Sequence, residues 1–392
     1  MEKLYQLLEQ EYGEMVEIRR YLHQHPELSF EEVETPKYIA AFHEKLGHDV
    51  RTGVGGRGVV ATLKGGKPGP TVALRADFDA LPIQEENDVP YKSKVDGVMH
   101  ACGHDGHTAS LLGLAKALNQ RKEDLQGNVV FIHQHAEELP PGGAIAMIED
   151  GCLDGVDVIF GTHLWATCPL GEIGYRTGPF MAAPDRFDIK IQGYGGHGSQ
   201  PELTKDSIVI AGQLIGNLQQ IVSRKVSPLD TAVVSVCSIE AKNPYNIIAD
   251  SVSMTGTVRT FTEEVRSFVE KEIDRVTKGT CLVSDADYTY TYTRGYPPTV
   301  NHKEETELLA RVAGMAPSVE SVKEYAPQMG GEDFAYYLQH VKGTFFFTGA
   351  EKAGRESSYP HHHPKFDIDE RALLIAAQVL GTATIEYMKS HS

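Results

Sequence analysis

Residues 99–110 read MHACGHDGHTAS and crowd His100, Cys102, His104, Asp105 and His107 into the nine residues from His100 to Thr108. Burying three imidazoles that close together would demand a hydrogen-bond partner for each, so metal chemistry is the stronger reading. Three further places offer metal-capable side chains. They are Glu137 and Glu138 in HQHAEELPPGG, His163 in IFGTHLW, and His361, His362 and His363 in YPHHHPKFD. Cys102 and His104, two residues apart on a loop, can both reach one centre, and a thiolate sulfur can bridge two ions. Mixed sulfur, nitrogen and oxygen donors suit divalent metals of the zinc, manganese or cobalt type. The adjacent glutamates suggest a division of labour in which one ligates and the other is general base toward a water whose pKa a metal brings to about 7. Each feature has a plain alternative: a solvated glutamate face, a core histidine beside Trp165, a surface histidine tract. The histidine run precedes a proline and a whole helix, so it is no terminal tag, and four such coincidences would be needed at once.

The elements that must position these residues are readable from periodicity. Amphipathic helices are expected over 2–24 and 32–46, then β-branched runs at RGVVATLKG and PTVALRAD. A helix at HTASLLGLAKALNQR, a strand at NVVFIHQH, a helix at GGAIAMIEDG and a strand at DVIFGTHL follow. Such alternation predicts an α/β sheet, largely parallel, with its working loops at the carboxyl ends of strands, where distant residues converge on one crevice. Near Pro184 the pattern changes to strand 186–192, helix 205–223, strand 231–239, strand 251–259, helix 263–278 and strand 284–293. That is the split β-α-β-β-α-β unit of ferredoxin-like folds. After GYPPTV the first pattern resumes through GTFFFTG and ends in the helix IDERALLIAAQVLGTATIEYM. The expected organisation is a discontinuous catalytic metal-binding domain, 1–184 and 295–392, interrupted by an inserted domain at 185–294.

Bulk properties exclude several classes. With 392 residues, 41% of them hydrophobic, the chain fits two cored domains and not a small stapled scaffold. A net charge of −17 without a basic run gives nucleic acid or an anionic membrane no footprint. The charged N-terminus lacks a signal-peptide core, and no apolar stretch approaches the roughly eighteen residues of a membrane span, so a cytoplasmic protein is expected. Five cysteines, odd in number and without a C-x-x-C pair, argue against disulfides and a zinc knuckle. GVGGRGVV and GGKPGP lack the phosphate-loop order and open no helix after a strand, so both read as hairpin turns.

Taken in order, RRYLHQHPELSFEE, ALRADFDALPI, HACGHDGHTA, AEE, GGHGS, GTVRT, GGEDFAYY and HHPKFDIDE span almost the whole chain. The series resembles the metal-dependent aminoacylase and hippurate hydrolase family, which includes the plant indole-acetyl-amino-acid hydrolases and is related to dinuclear-zinc carboxypeptidases and deacetylases. The resemblance implies a zinc-exopeptidase-like α/β catalytic domain with an inserted ferredoxin-like lid and dimerisation domain. It implies two divalent ions (manganese, cobalt, nickel or zinc) held by Cys102, His104, Glu138, His163 and His362, with Glu137 as general base. His362 is chosen from its run because it lies two residues before Pro364, with His361 and His363 as rivals. In GYGGHGSQP, His197 matches a histidine that polarises the scissile carbonyl, in some relatives from the partner subunit. Asn246 and Arg259 match residues that grip a substrate carboxylate, a task suited to a guanidinium, with a surface ion pair as the competing reading of Arg259. Asp77, Asp79 and Asp105 are expected to orient ligands or hold loops, and His100 and His107 to back the ligands from behind or sit at the helix start.

The family pattern is departed from at His135, where relatives often have proline, at NIIAD, and at Glu202. These changes bear on the substrate pocket and leave the metal residues intact. The implied activity is cleavage of the amide of an N-acyl-L-amino acid, a small-molecule substrate, by a homodimer joined through the lid. The lid helix's apolar face (Ile208, Ile210, Leu214, Leu218) is explained equally by packing within one subunit. A dipeptidase or carboxypeptidase with the same centre is the alternative. A catalytically silent binding protein is the rival from another class, and retention of the base and five candidate ligands argues against it.

Overall fold

A computed structural model describes residues 1–352 and 358–391. The chain forms two compact units, one of Met1–Phe180, Val300–Ala326 and Asp333–Ser392, the other of Met181–Thr299 and Pro327–Glu332.

The larger unit is built on an eight-stranded sheet ordered Asp49–Val54, Gly58–Lys64, Gln126–Gln134, Lys67–Asp77, Val158–Trp165, Lys342–Gly349, Glu172–Tyr175, Ser321–Glu324. Its central strands, Gln126–Gln134 through Lys342–Gly349, run parallel. They carry continuous apolar runs such as VVFI and VAL, as strands covered on both faces must. The helices Glu2–Gln24, His104–Asn119 and Arg371–Ser390 pack together, and Leu8, Leu114 and Leu380 meet Val72, Phe131 and Phe160 in one core.

The sheet is mixed, which corrects the expectation of a largely parallel one. Asp49–Val54 pairs antiparallel with Gly58–Lys64, the latter antiparallel with Gln126–Gln134, and Glu172–Tyr175 antiparallel with Lys342–Gly349. Gly55 and Gly56, at φ of 61° and 112°, close the first of these as a true hairpin. GGKPGP does not do the same. It joins Gly58–Lys64 to Lys67–Asp77, and Gln126–Gln134 lies between those strands. Glycine is needed there for close approach: a Cβ on Gly65 would sit 2.1 Å from the Gly127 carbonyl oxygen.

The smaller unit has a four-stranded antiparallel sheet ordered Ala232–Glu240, Ser251–Thr260, Ala183–Gln192, Asp287–Thr293. Helices Ser207–Gln220 and Glu263–Val283 complete the β-α-β-β-α-β order. Both are N-capped, by Asp206 accepting from the amides of Ile208 and Val209 and by Thr262 accepting from that of Val265. Ile210, Leu214 and Leu218 join Phe187, Ile189, Val269 and Ile273 in this unit's own core, whereas Ile208 is 46% exposed. Internal packing therefore accounts for three of the four apolar residues singled out on the helix Ser207–Gln220. Cys237 is exposed and the other four cysteines are buried, all of them free thiols. Among the described residues no helix is long and apolar enough to cross a membrane.

Candidate metal centre

The candidate ligands stand at the carboxyl ends of the parallel strands. Lys67–Asp77 delivers Asp77 and, just beyond it, Asp79; Gln126–Gln134 leads into Glu137 and Glu138; His163 lies near the end of Val158–Trp165. Gly103, left-handed at φ 92°, ends the loop that bears Cys102, and His104 is the first residue of the following helix, not a loop residue. His362 also has a left-handed backbone, at φ 64°, and its amide donates to the Ala101 carbonyl at 2.8 Å.

Five groups of potential donors, each within 4.8 Å of one another, occur among the described residues, and two of them share Cys102: Cys102, His104 and His163 form one and Cys102, Glu138 and His362 the other. Glu137 joins His104 and Glu138 in a third and Glu332 and Asp333 in a fourth, and Asp77, His104 and His107 make the fifth. The imidazole tautomers are set from outside the cluster. His104 Nδ1 lies 3.0 Å from the Asp79 carbonyl oxygen and 3.1 Å from Asp79 Oδ1, both acceptors, so Nδ1 carries a proton and Nε2 is the nitrogen left facing the cluster. His163 Nδ1 donates to the Leu164 carbonyl at 3.0 Å, and its Nε2 is 3.3 Å from Cys102 Sγ. His362 Nε2 is 3.3 Å from Glu138 Oε2, and Glu137 Oε2 is 3.9 Å from His104 Nε2.

The rest of the histidine crowd is occupied elsewhere. His107 donates from Nδ1 to Asp77 Oδ1 at 2.6 Å and accepts the Leu164 amide on Nε2 at 2.9 Å, so neither nitrogen is spare. His361 Nε2 donates to the Leu164 carbonyl at 3.1 Å and its ring packs between Trp165 and Phe366. His363 accepts the Lys365 amide and stacks on Tyr359. The structure thus brings His362, of its run, into the cluster. His100 is buried with neither nitrogen hydrogen-bonded.

The carboxylates divide differently from the sequence expectation. Asp79 orients His104, and its Oδ2 accepts from the Ser29 hydroxyl at 2.7 Å and the Glu138 amide at 2.9 Å. Asp77 is ion-paired with Arg75 at 2.6 Å, stands 3.8 Å from His104 Nε2 through Oδ2, and is tied to the His163 strand through His107 and the Leu164 amide. Asp105 orients no candidate ligand, because the helical turn aims it away. It binds Arg19 Nε at 2.9 Å and His23 Nδ1 at 2.8 Å.

The electrostatics suit a cation. Burial, then the charges of Glu138 and Glu137, push the Cys102 thiol well above its ordinary range. Burial alone would lower His104, but Asp77, Asp79 and Glu138 outweigh it and hold it at about 10. Burial and the neighbouring imidazoles keep His163 far below its usual value. The hydrogen bond to Glu138 raises His362. Two cluster atoms, His104 Nε2 and Glu138 Oε1, lie 3.9 Å apart, both buried without a hydrogen-bond partner. Such orphans are expensive, and a divalent cation would satisfy both while lowering the thiol's pKa. The donor set therefore fits a zinc-, manganese-, cobalt- or nickel-type ion.

On the smaller unit, His197 is exposed. Its Nδ1 accepts from the Ser199 amide at 3.2 Å and lies 2.8 Å from the Ser199 hydroxyl, which leaves Nε2–H as the outward donor. Sequence reasoning missed Ser199, although the GHGS string contains it. Asn246 is exposed and its carbonyl accepts the Gly198 amide at 2.8 Å, steadying the His197 loop. Arg259, half-buried, donates to the carbonyls of Met329 and Val258 and to the Thr257 hydroxyl. These acceptors are all neutral, and the ion pair weighed from sequence is not seen among the described residues. Glu202 lies exposed in a 3-10 turn, Pro201–Leu203. His135 is buried, its ring edge-on to Phe30.

The model of peptidase family M20/M25/M40 matches residues 73–386. YhaA of Bacillus subtilis, which bears the name amidohydrolase, is 60% identical over 376 residues, 96% of this chain and 95% of that one. The N-acyl-L-amino acid amidohydrolase of Geobacillus stearothermophilus is 47% identical over 303 residues, 77% and 82% of the two chains. The crystal structure of Bacillus subtilis YXEP, described as a dinuclear metal binding peptidase of the M20 family, superposes with a TM-score of 0.84 at 38% identity, covering 96% of this chain and 98% of that one.

Proposed function

We propose, from the premise that this chain belongs to peptidase family M20/M25/M40 and is an amidohydrolase, that it hydrolyses N-acyl-L-amino acids to a carboxylate and a free amino acid. The observation that carries the reading is the pairing at 137 and 138. Both glutamates come within 3.9 Å of His104 Nε2, but Glu138 also joins Cys102 and His362 whereas Glu137 does not, so ligand and base are assigned to consecutive residues. The deacylase direction is supported by the 47% identity to an N-acyl-L-amino acid amidohydrolase.

Cys102, His104, Glu138, His163 and His362 would hold two divalent ions, which supply Lewis acidity and a water of pKa about 7. Glu137 takes a proton from the attacking water as the new C–O bond forms. It delivers that proton to the nitrogen as the C–N bond breaks, so the amino acid leaves as a neutral amine. His197, whose tautomer Ser199 fixes, donates from Nε2 to the developing oxyanion, a contribution of about 3 kcal/mol for one well-placed donor. Asn246 and Arg259 hold the substrate carboxylate, and among the described residues Arg259 is in no ion pair, its hydrogen bonds all going to neutral acceptors. The smaller unit serves as lid and as the dimer contact.

The test is a panel of N-acetyl and N-benzoyl amino acids and dipeptides, given to metal-stripped protein reloaded separately with manganese, cobalt, nickel and zinc. Turnover of acylated amino acids above dipeptides is expected. Faster cleavage of dipeptides converts the reading to a peptidase, and metal uptake without any hydrolysis points to a silent binding protein. Light scattering checks the dimer, which a stable active monomer would remove.

A further inference from the structure

Glu32 belongs to the SFEE run just before the helix Glu34–Lys45 and is 1% exposed. Its Oε1 accepts the Ala136 amide at 2.9 Å. Its Oε2 is buried without a hydrogen-bond partner, with Arg57 Nε no nearer than 3.9 Å. A carboxyl kept under those conditions is costly to the fold, and burial foremost pushes its pKa up to about 7. A fold that wanted only volume at this place would be better served by an apolar side chain.

What the carboxyl holds is unusual. Ala136 is fully buried and left-handed at φ 53°, a conformation that penalises any residue with a Cβ and survives only where its surroundings enforce it. The next residue is Glu137. On the other side the Glu138 amide is held by Asp79 Oδ2, so the segment 136–138 hangs between two buried carboxylates. Asp79 also serves His104 and Ser29. Glu32 touches none of the candidate ligands.

We propose that Glu32 is a positioning residue which, by holding the left-handed Ala136 peptide, aims the Glu137 carboxylate. The proposal rests on Glu137 being the general base. Asp79 sets a ligand and Glu32 sets the base, so the two should separate in experiment.

Glu32→Gln, Glu32→Ala, Glu32→Met, Glu32→Ala with Ala136→Gly, and Glu137→Gln are loaded with one metal and compared on an N-acetyl amino acid that the parent protein cleaves. The readouts are kcat and KM separately, bound metal per chain, and hydrogen exchange of the peptide spanning residues 131–139. Glu32→Gln keeps the acceptor and is expected within about threefold of parental kcat. Glu32→Ala is expected to lose about 10- to 100-fold in kcat, the usual consequence of a misplaced catalytic group, with KM and metal content unchanged and exchange at Ala136 accelerated. Ala136→Gly, which tolerates positive φ, should restore kcat several-fold in that background. Glu32→Met fills the volume without an acceptor and carries the comparison if the alanine variant does not fold.

Parental kcat in Glu32→Ala or Glu32→Met beside an inactive Glu137→Gln overturns the proposal. So does a loss that tracks metal content and is not relieved by Ala136→Gly. Parental turnover in Glu137→Gln instead overturns the general-base reading itself.

Discussion

The larger unit contains two histidine clusters, and they are built on opposite rules. Around Cys102, His104 and His163 give their Nδ1 hydrogens to oxygen atoms outside the cluster, so their Nε2 atoms face inward. Some distance away in sequence, His43, His48 and His133 bind only in series. His43 Nδ1 is 2.9 Å from His48 Nδ1 and His43 Nε2 is 2.9 Å from His133 Nε2, with His48 stacked on Phe131. One N–H of His43 can serve only one of these bonds, so the trio is a directional chain of neutral rings, and no lone pairs gather at a point. What makes imidazoles able to hold metal is the destination of the second nitrogen, and their number counts for little.

This contrast can be broken most forcefully at the shared sulfur and the base. Cys102→Ala removes a donor from both groups and should abolish metal retention and activity together, read by elemental analysis and turnover. Glu137→Gln should lower kcat about 10²- to 10⁴-fold while leaving metal content near the parent's. Asp79→Asn tests orientation from outside: it can still accept from His104 but without charge, and metal affinity should fall roughly 10- to 100-fold by chelator competition.

The serial cluster should respond to acid instead. Burial, chiefly, lowers His43 to about 2, His48 to about 4 and His133 to about 3. As pH falls from about 6.5 toward 4, the unfolded chain gains protons on these imidazoles and the folded chain does not, so stability declines. Thermal midpoints should drop on the order of a few °C per pH unit over that window, and His43→Phe should flatten the slope. The smallest effect is expected at His361→Ala, which loses ring packing, an edge contact with His163 at 5.0 Å included, and one hydrogen bond without removing an atom from either donor group. Its kcat should stay within about threefold of the parent's, and an unchanged metal content would sharpen the distinction between His361 and His362.

Much of the site is legible in sequence because its residues stand at strand ends in short polar strings, where side-chain chemistry is uncommon without a purpose. AEE and THLW follow or end a buried strand, and HACGHDGHTA opens a buried helix. Asp105 misleads because adjacency to His104 is not proximity; in a helix the next residue points about 100° round, here toward Arg19. Asp79, twenty-five residues from His104, does what Asp105 seems placed to do. The His43 trio is invisible for the same reason, being assembled from a helix, a turn and a strand. The mixed sheet escapes because periodicity shows that a strand exists but not which way its neighbour runs. Only the hairpin at Gly55 and Gly56 discloses a direction.

The two donor groups also differ in depth. His104 and His163 side chains lie in the interior, 0% and 5% exposed as residues, whereas the His362 side chain is 53% open to solvent. An occupant of the inner group would leave slowly, while one beside His362 would trade with the medium. On the proposed two-ion reading, protein recovered from different growth media should carry an invariant metal in one position and a record of the medium in the other, and its specific activity would depend on its history as well as on its sequence.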